Sequence, residues 1–233
     1  MEESKVFKNI WRFNAFVIAA VGLLAIIVLL FATYKIIKET TRERHRSEIV
    51  NVDPDTKIKE SFRLGRIKHV NGSDSVIVPL YSDQDFSLRY SGSKSTVSTR
   101  NMLFSNMSKE TNSWLLPTNK FLISEHRLVN NPDTWDKDKK VITILYYIVK
   151  RDTNKDERLT SNDRLTLALS TPEGESYTEV ISNVDDVLGY DVLSEEAIAV
   201  IFNRDNQGYT AYINLSDFSI TKEIALPKIG DPS

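Results

Sequence analysis

Cysteine is absent from the chain, which removes disulfides, thiolate zinc sites, iron–sulfur clusters and cysteine nucleophiles together. That absence leaves the cellular compartment open, because oxidising and reducing compartments both hold cysteine-free proteins. Histidine is nearly as scarce: His45, His69 and His126 are the full set, which leaves few options for an all-histidine metal site, and none sits in a pattern that suggests a Ser-His-Asp arrangement. Eight glycines are scattered at turns and build no phosphate-cradling loop. A basic face is also missing. Beyond residue 50 the chain carries 22 basic against 27 acidic side chains, so it lacks the electrostatic footprint of a nucleic-acid binder.

One long apolar run is present. "FNAFVIAAVGLLAIIVLLFATY", Phe13 to Tyr34, holds 22 residues without a charge, and as a helix it reaches roughly 33 Å, enough for the hydrocarbon core of a bilayer. Trp11 and Tyr34 stand where interfacial aromatics belong, and Arg12 and Lys35 close the ends. A cleaved signal peptide has a shorter apolar region followed by small residues; this run continues into "KIIKETTRERHR" and reads as an uncleaved anchor. The organisation expected is a tail (1–12), a transmembrane helix (13–34), a polar stalk and linker (35–59) broken near Pro54, and a domain over 60–233. Orientation stays open. Counting Lys and Arg on each side places the domain in the cytoplasm, whereas the plan of a signal-anchor places it outside the inner membrane, in the periplasm.

Past residue 60 apolar residues recur with period 2 or in short strand-length runs, and no amphipathic helical period appears. "VITILYYIV" (141–149), rich in β-branched and aromatic residues, reads as a central strand. "FRLGRIKHV" and "SVIVPLY" flank Asn71–Gly72, a favoured turn pair. Trp114, inside its strand, is expected in the core, and "NNPDTWDKDKK" (130–140) as an exposed loop. The domain is therefore expected to be all-β. It also repeats: "NMLFSNMSKETNSWLLP" (101–117), "TLALSTPEGESYTEVIS" (166–182) and "AYINLSDFSITKEIALP" (211–227) each read strand, polar turn, strand. Their starts lie 65 and 45 residues apart, and one four-stranded propeller blade takes roughly 40–45. Over about residues 100–227 these hairpins resemble the repeats of TolB-type, WD40-like β-propellers. That resemblance implies propeller-like blades, with 118–128 and 187–204 as inner strands; a β-sandwich is the alternative.

"RDTNKDERLTSND" (151–163) concentrates oxygen-bearing side chains. Counted from Asp152, they fall at positions 1 (Asp152), 3 (Asn154), 5 (Asp156), 9 (Thr160) and 12 (Asp163), with Arg158 offering a backbone carbonyl at 7. This is the spacing by which a calcium loop converges on one hard cation, and a solvated acidic hairpin tip is the plain alternative. With Asp at 12 and Leu-Thr at 8 and 9, the segment resembles a dockerin-type, EF-hand-like calcium loop, which implies Asp152, Asn154, Asp156, Arg158, Thr160 and Asp163 as ligands of a structural Ca2+. Glu157 stands where that family has glycine, no helix follows, and no second loop is available to pair with.

These readings lead to a non-enzymatic, single-pass membrane protein whose β-domain is a protein-interaction or scaffolding module, an accessory subunit of a membrane or envelope complex. Its expected partners are the lipid bilayer and a protein, not nucleic acid. An extracytoplasmic ligand-sensing domain and a hydrolase on a propeller scaffold are the alternatives.

Overall fold

Two patterns of apolar residues, one continuous and one alternating, become two structural units. The computed structural model describes residues 5–41, 49–52, 59–87, 93–131 and 139–227, and the chain divides into Met1–Arg46 and Ser47–Ser233. The first unit is one helix, α1 (Lys5–Thr41). Every large apolar side chain described along it, from Trp11 to Phe31, is 40–73% exposed. Over the described residues alone, no helix is long and apolar enough to cross a membrane. The full sequence carries no charge from Phe13 to Tyr34.

The regular elements described in the second unit are all strands: β1 (Val50–Asn51), β2 (Lys59–Leu64), β3 (Lys68–His69), β4 (Ser75–Ser87), β5 (Ser93–Asn106), β6 (Thr111–Trp114), β7 (Leu122–Asn130), β8 (Val141–Val149), β9 (Arg158–Leu159), β10 (Leu165–Ser170), β11 (Thr178–Val184), β12 (Asp186–Ser194), β13 (Ala197–Arg204), β14 (Gln207–Asn214) and β15 (Ile220–Ala225). Apart from the two-stranded pair β1-β9, they form three successive antiparallel meanders. The first sheet runs β2-β4-β5-β6, with β3 also on β4; the middle runs β7-β8-β10-β11; the last runs β12-β13-β14-β15. The three sequence repeats are the closing hairpins of these sheets: β5–β6, β10–β11 and β14–β15.

Side-chain parity sorts the sheets into layers. Successive residues of a strand point to opposite faces. In β8, Leu145, Tyr147 and Val149 pack with Ile198, Val200 and Phe202 of the last sheet. The intervening Ile144, Tyr146 and Ile148 pack with Ile77, Met102 and Phe104 of the first. The middle sheet is thus buried on both faces, which is why "VITILYYIV" is apolar at every position but Thr143 rather than alternating. Each large apolar side chain fully buried there contributes about 1.5–3 kcal/mol. Polar groups inside this core are matched: the Tyr146 hydroxyl lies 2.8 Å from Ser170 Oγ, and Thr143 Oγ1 donates to the Ser170 carbonyl at 2.8 Å.

Two hinges of the fold depend on small or adaptable residues. In the β10–β11 turn Gly174 has φ +79°, and a Cβ there would lie 2.3 Å from the Phe104 ring. Glycine therefore lets a turn of the middle sheet close over the first sheet's core. Between β13 and β14 the chain reverses through Asp205 (φ 50°) and Asn206 (φ 62°), two residue types that tolerate the left-handed region of a tight hairpin.

Three expectations are corrected. Trp114 is 47% exposed rather than in the core: it pairs with Leu103 on an edge strand, and the buried positions pass to Leu115 and Leu116 just beyond. The stalk drawn over 35–59 is interrupted at β1, whose Val50 is fully buried in the core between the middle and last sheets. Asn71–Gly72 does form a turn, with Ser73 N donating to Val70 O at 3.1 Å, but the loop is wider than two residues because Val70 N bonds Ser75 O. The break expected at Pro54 and the loop core at 132–138, with Trp135, lie outside the described residues.

Gly174→Ala is expected to cost about 2–5 kcal/mol, from a strained left-handed alanine plus overpacking against Phe104. Urea denaturation of the full-length chain measures this, and Ser176→Ala in the same turn serves as the mild control.

Candidate metal centre

The Asp-rich segment replaces the short turn that would join β8 to β10. Its acidic side chains turn inward onto backbone amides. Asp152 Oδ1 accepts from Lys155 N (2.6 Å) and Asp156 N (3.3 Å), and its Oδ2 from Glu157 N (2.7 Å). Asn154 Oδ1 accepts from Asp156 N at 3.0 Å, and Asp156 Oδ1 from Arg158 N at 3.0 Å. Asp163, 1% exposed, holds the two ends together. Its Oδ1 accepts from Thr153 N (2.7 Å), Thr153 Oγ1 (3.0 Å) and Asn154 N (3.3 Å), and its Oδ2 from Thr160 N (3.0 Å). Thr160 Oγ1 caps the final turn by accepting from Asn162 N at 3.1 Å.

The backbone supplies the curvature. Lys155 and Glu157 have φ of 62° and 63°, so Glu157 occupies the left-handed conformation at the position where the resembled loops carry glycine. The network of amide donors holds Asp152, Asn154, Asp156 and Asp163 along one compact loop. Among the described residues no group of three or more His, Asp or Glu side chains is gathered as a metal site. The carboxylates are occupied with backbone amides, and a cation here would draw on the mixed set of carboxylate, amide, hydroxyl and carbonyl oxygens.

The partner that sequence inspection did not find is β1. Val50 pairs with Leu159 and Asn51 with Arg158, and Val52 N donates to Glu157 O at 2.9 Å. Leu159 at position 8 is 3% exposed, in the same core as Val50. A strand thus supplies the pairing for which the sequence offers no second loop. The signal was the "IVNV" run at 49–52, apolar at alternate places inside a segment read as polar linker.

The histidines stand apart from this loop. His69 lies on exposed β3. His126 sits half-buried on β7, where its Nε2 is buried without a hydrogen-bond partner. Burial, reinforced by the positive charges of Lys68 and Arg127, lowers its pKa to about 4. It is therefore neutral at pH 7. Asp133, Asp136 and Asp138 lie outside the described residues.

No family model and no curated protein matches the chain. Among solved structures it is similar to the β-propeller domain of the Trilobed protease from Pyrococcus furiosus, described as having an open velcro topology, at 9% identity and a TM-score of 0.37. The match covers 75% of this chain and 45% of that one, so the chain spans less than half the length of the protein it overlaps. An overlap this loose assigns neither ring closure nor activity.

Glu157→Gly is expected to stabilise the fold by about 0.5–1 kcal/mol, because glycine relieves the left-handed strain and loses part of that gain to chain entropy; thermal melting measures it. For His126 the folded pKa lies below the ordinary 6.5, so its contribution is fully present above pH ~6.5 and is lost as the pH falls toward 4. His126→Gln should flatten the stability–pH curve between about pH 6.5 and 5, above the range where carboxylates titrate.

Proposed function

We propose that this chain is a single-pass, membrane-held binding module without catalytic activity, in which three blade-like sheets form a propeller-like scaffold for a protein partner in a larger membrane or envelope complex. The observation that carries the reading is α1. A helix with apolar side chains exposed on every face has no aqueous solution as a soluble surface helix. A bilayer satisfies it, since the backbone is hydrogen-bonded internally and the uncharged run from Phe13 to Tyr34 matches the hydrocarbon thickness. The short basic tail and the bulky C-terminal domain favour an extracytoplasmic placement of the β-domain.

Partner binding is supported by the last sheet, where Leu188, Leu193, Ile201, Ile220 and Ile224 remain 38–57% exposed. We read the Asp-rich loop as a structural calcium site in which Asp152, Asn154, Asp156, the Arg158 carbonyl, Thr160 and Asp163 supply oxygens. The ion would act by fixing the loop and, through Leu159, the seating of Val50 and β1.

Two measurements test this. After an alkaline carbonate wash of membranes, the full-length chain is expected in the pellet and in the detergent-soluble fraction; recovery of intact chain in the wash would overturn the tether. Calcium at ~100-fold its dissociation constant should raise the stability of the detergent-solubilised chain by about 2.7 kcal/mol, and Asp156→Ala should abolish the rise. Calcium-independent melting of the wild type would remove the ion while leaving the tether standing.

A further inference from the structure

Beyond the loop, the middle sheet carries a second feature with no structural duty of its own. At the end where β7 begins, β8 leaves, β10 begins and β11 ends, a cleft of about 400 Å³ opens, lined by Phe121, Lys150, Arg151, Arg164, Thr166, Ser182 and Asn183, among others. A β-bulge builds it. Leu165 pairs with Val184 and Leu167 with Ile181, so Ser182 and Asn183 together oppose the single Thr166. Asn183 takes φ 58° to make this possible. Bulges redirect side chains out of the ladder, and they gather beside binding sites for that reason.

The lining is rich in donors and contains no carboxylate. Three cations face it, with the hydroxyls of Thr166 and Ser182 and the Asn183 amide; the Thr153 hydroxyl is committed to Asp163 Oδ1 at 3.0 Å. Two of the cations are anchored from outside the lining. Lys150 Nζ lies 2.9 Å from both Glu179 oxygens and 5.4 Å over the Phe121 ring. Arg164 reaches Asp185 at 3.1 Å and Asp205 at 2.7 Å. These pairs hold the two side chains in place and offset their charge. Arg151 has no ion-pair partner among the described residues, so one guanidinium fork remains uncompensated at the rim.

We infer that this cleft binds a small organic oxyanion, of the phosphate-monoester class, with the anionic group on Arg151 and the hydroxyl donors and the organic body along Phe121. A guanidinium takes such a group bidentately. The volume exceeds that of a bare inorganic ion and falls in the range of small-molecule sites, roughly 300–1,000 Å³. The inference does not rest on the calcium reading, and its test is run in chelator so that the two are separable.

The test is isothermal titration of the full-length chain in neutral detergent, at fixed ionic strength with EDTA, using glycerol 3-phosphate, inorganic phosphate and glycerol as probes. Saturable one-to-one binding of glycerol 3-phosphate is expected, with weaker binding of inorganic phosphate and none of glycerol. Arg151→Ala should weaken binding about tenfold or more and Arg151→Glu should abolish it, with both variants melting as the wild type does because Arg151 is exposed. Competition by phosphatidate-doped micelles would assign the oxyanion to a lipid head group, and its failure to a soluble molecule; either supports the site. No saturable binding, or equal binding by Arg151→Glu, would overturn it.

Discussion

The fold depends on one sheet having no solvent face. In β8 and β10 every residue except Ile142 is buried, and the two parities of the same strands hold two different cores. Such a sheet cannot exist alone in water. It requires the first sheet over Ile144, Tyr146 and Ile148, and the last over Leu145, Tyr147 and Val149. Each outer sheet presents an apolar face inward and a mixed face outward, so the stability of all three layers is shared through the middle one. This also explains why the Tyr146 and Thr143 hydroxyls are matched: either left unbonded would cost about 1–3 kcal/mol where no water reaches.

The two functional candidates grow from the same sheet. The Asp-rich loop is the link between β8 and β10, and the oxyanion cleft lies where those strands and β7 and β11 end. Strands locked on both faces give loops and ends a fixed frame, and rigid elements place side chains more precisely than mobile ones. The loop in turn holds β1, through the Val50–Leu159 pair, on the core between the middle and last sheets. In the proposed account this matters because β1 is the first described strand after the helix, so the ion that fixes the loop also fixes where the domain begins.

Much of the architecture was legible in residue order because local signals and burial agreed. Period-2 alternation and turn residues marked the closing hairpins, and the β-branched and aromatic run at 141–149 marked a central strand; that both its faces are covered emerges only from the packing. At Glu157, where the resembled loops carry glycine, the chain does take the left-handed conformation, while the described carboxylates do not gather as a metal site. What escaped depended on tertiary pairing. Nothing local distinguishes Val50–Asn51 from a linker until Leu159 lies across from it. Trp114 was assigned to the core on hydrophobicity, but the alternation of an edge strand turned it out. His126 lies between the charged Glu125 and Arg127 in sequence, yet its ring is half-buried with Nε2 cut off from any partner. The cleft arises from a bulge, and bulges are set by register across strands rather than by composition.

The claim that the middle sheet is a core on both faces is tested most directly by hydrogen exchange of the full-length chain, read strand by strand. The slowest amides are expected in β8 and β10, with β2, β6 and β15 exchanging earlier as exposed edges. Exchange in β8 as fast as in β15 would mean that one of its faces meets water, and the three-layer arrangement would be contradicted.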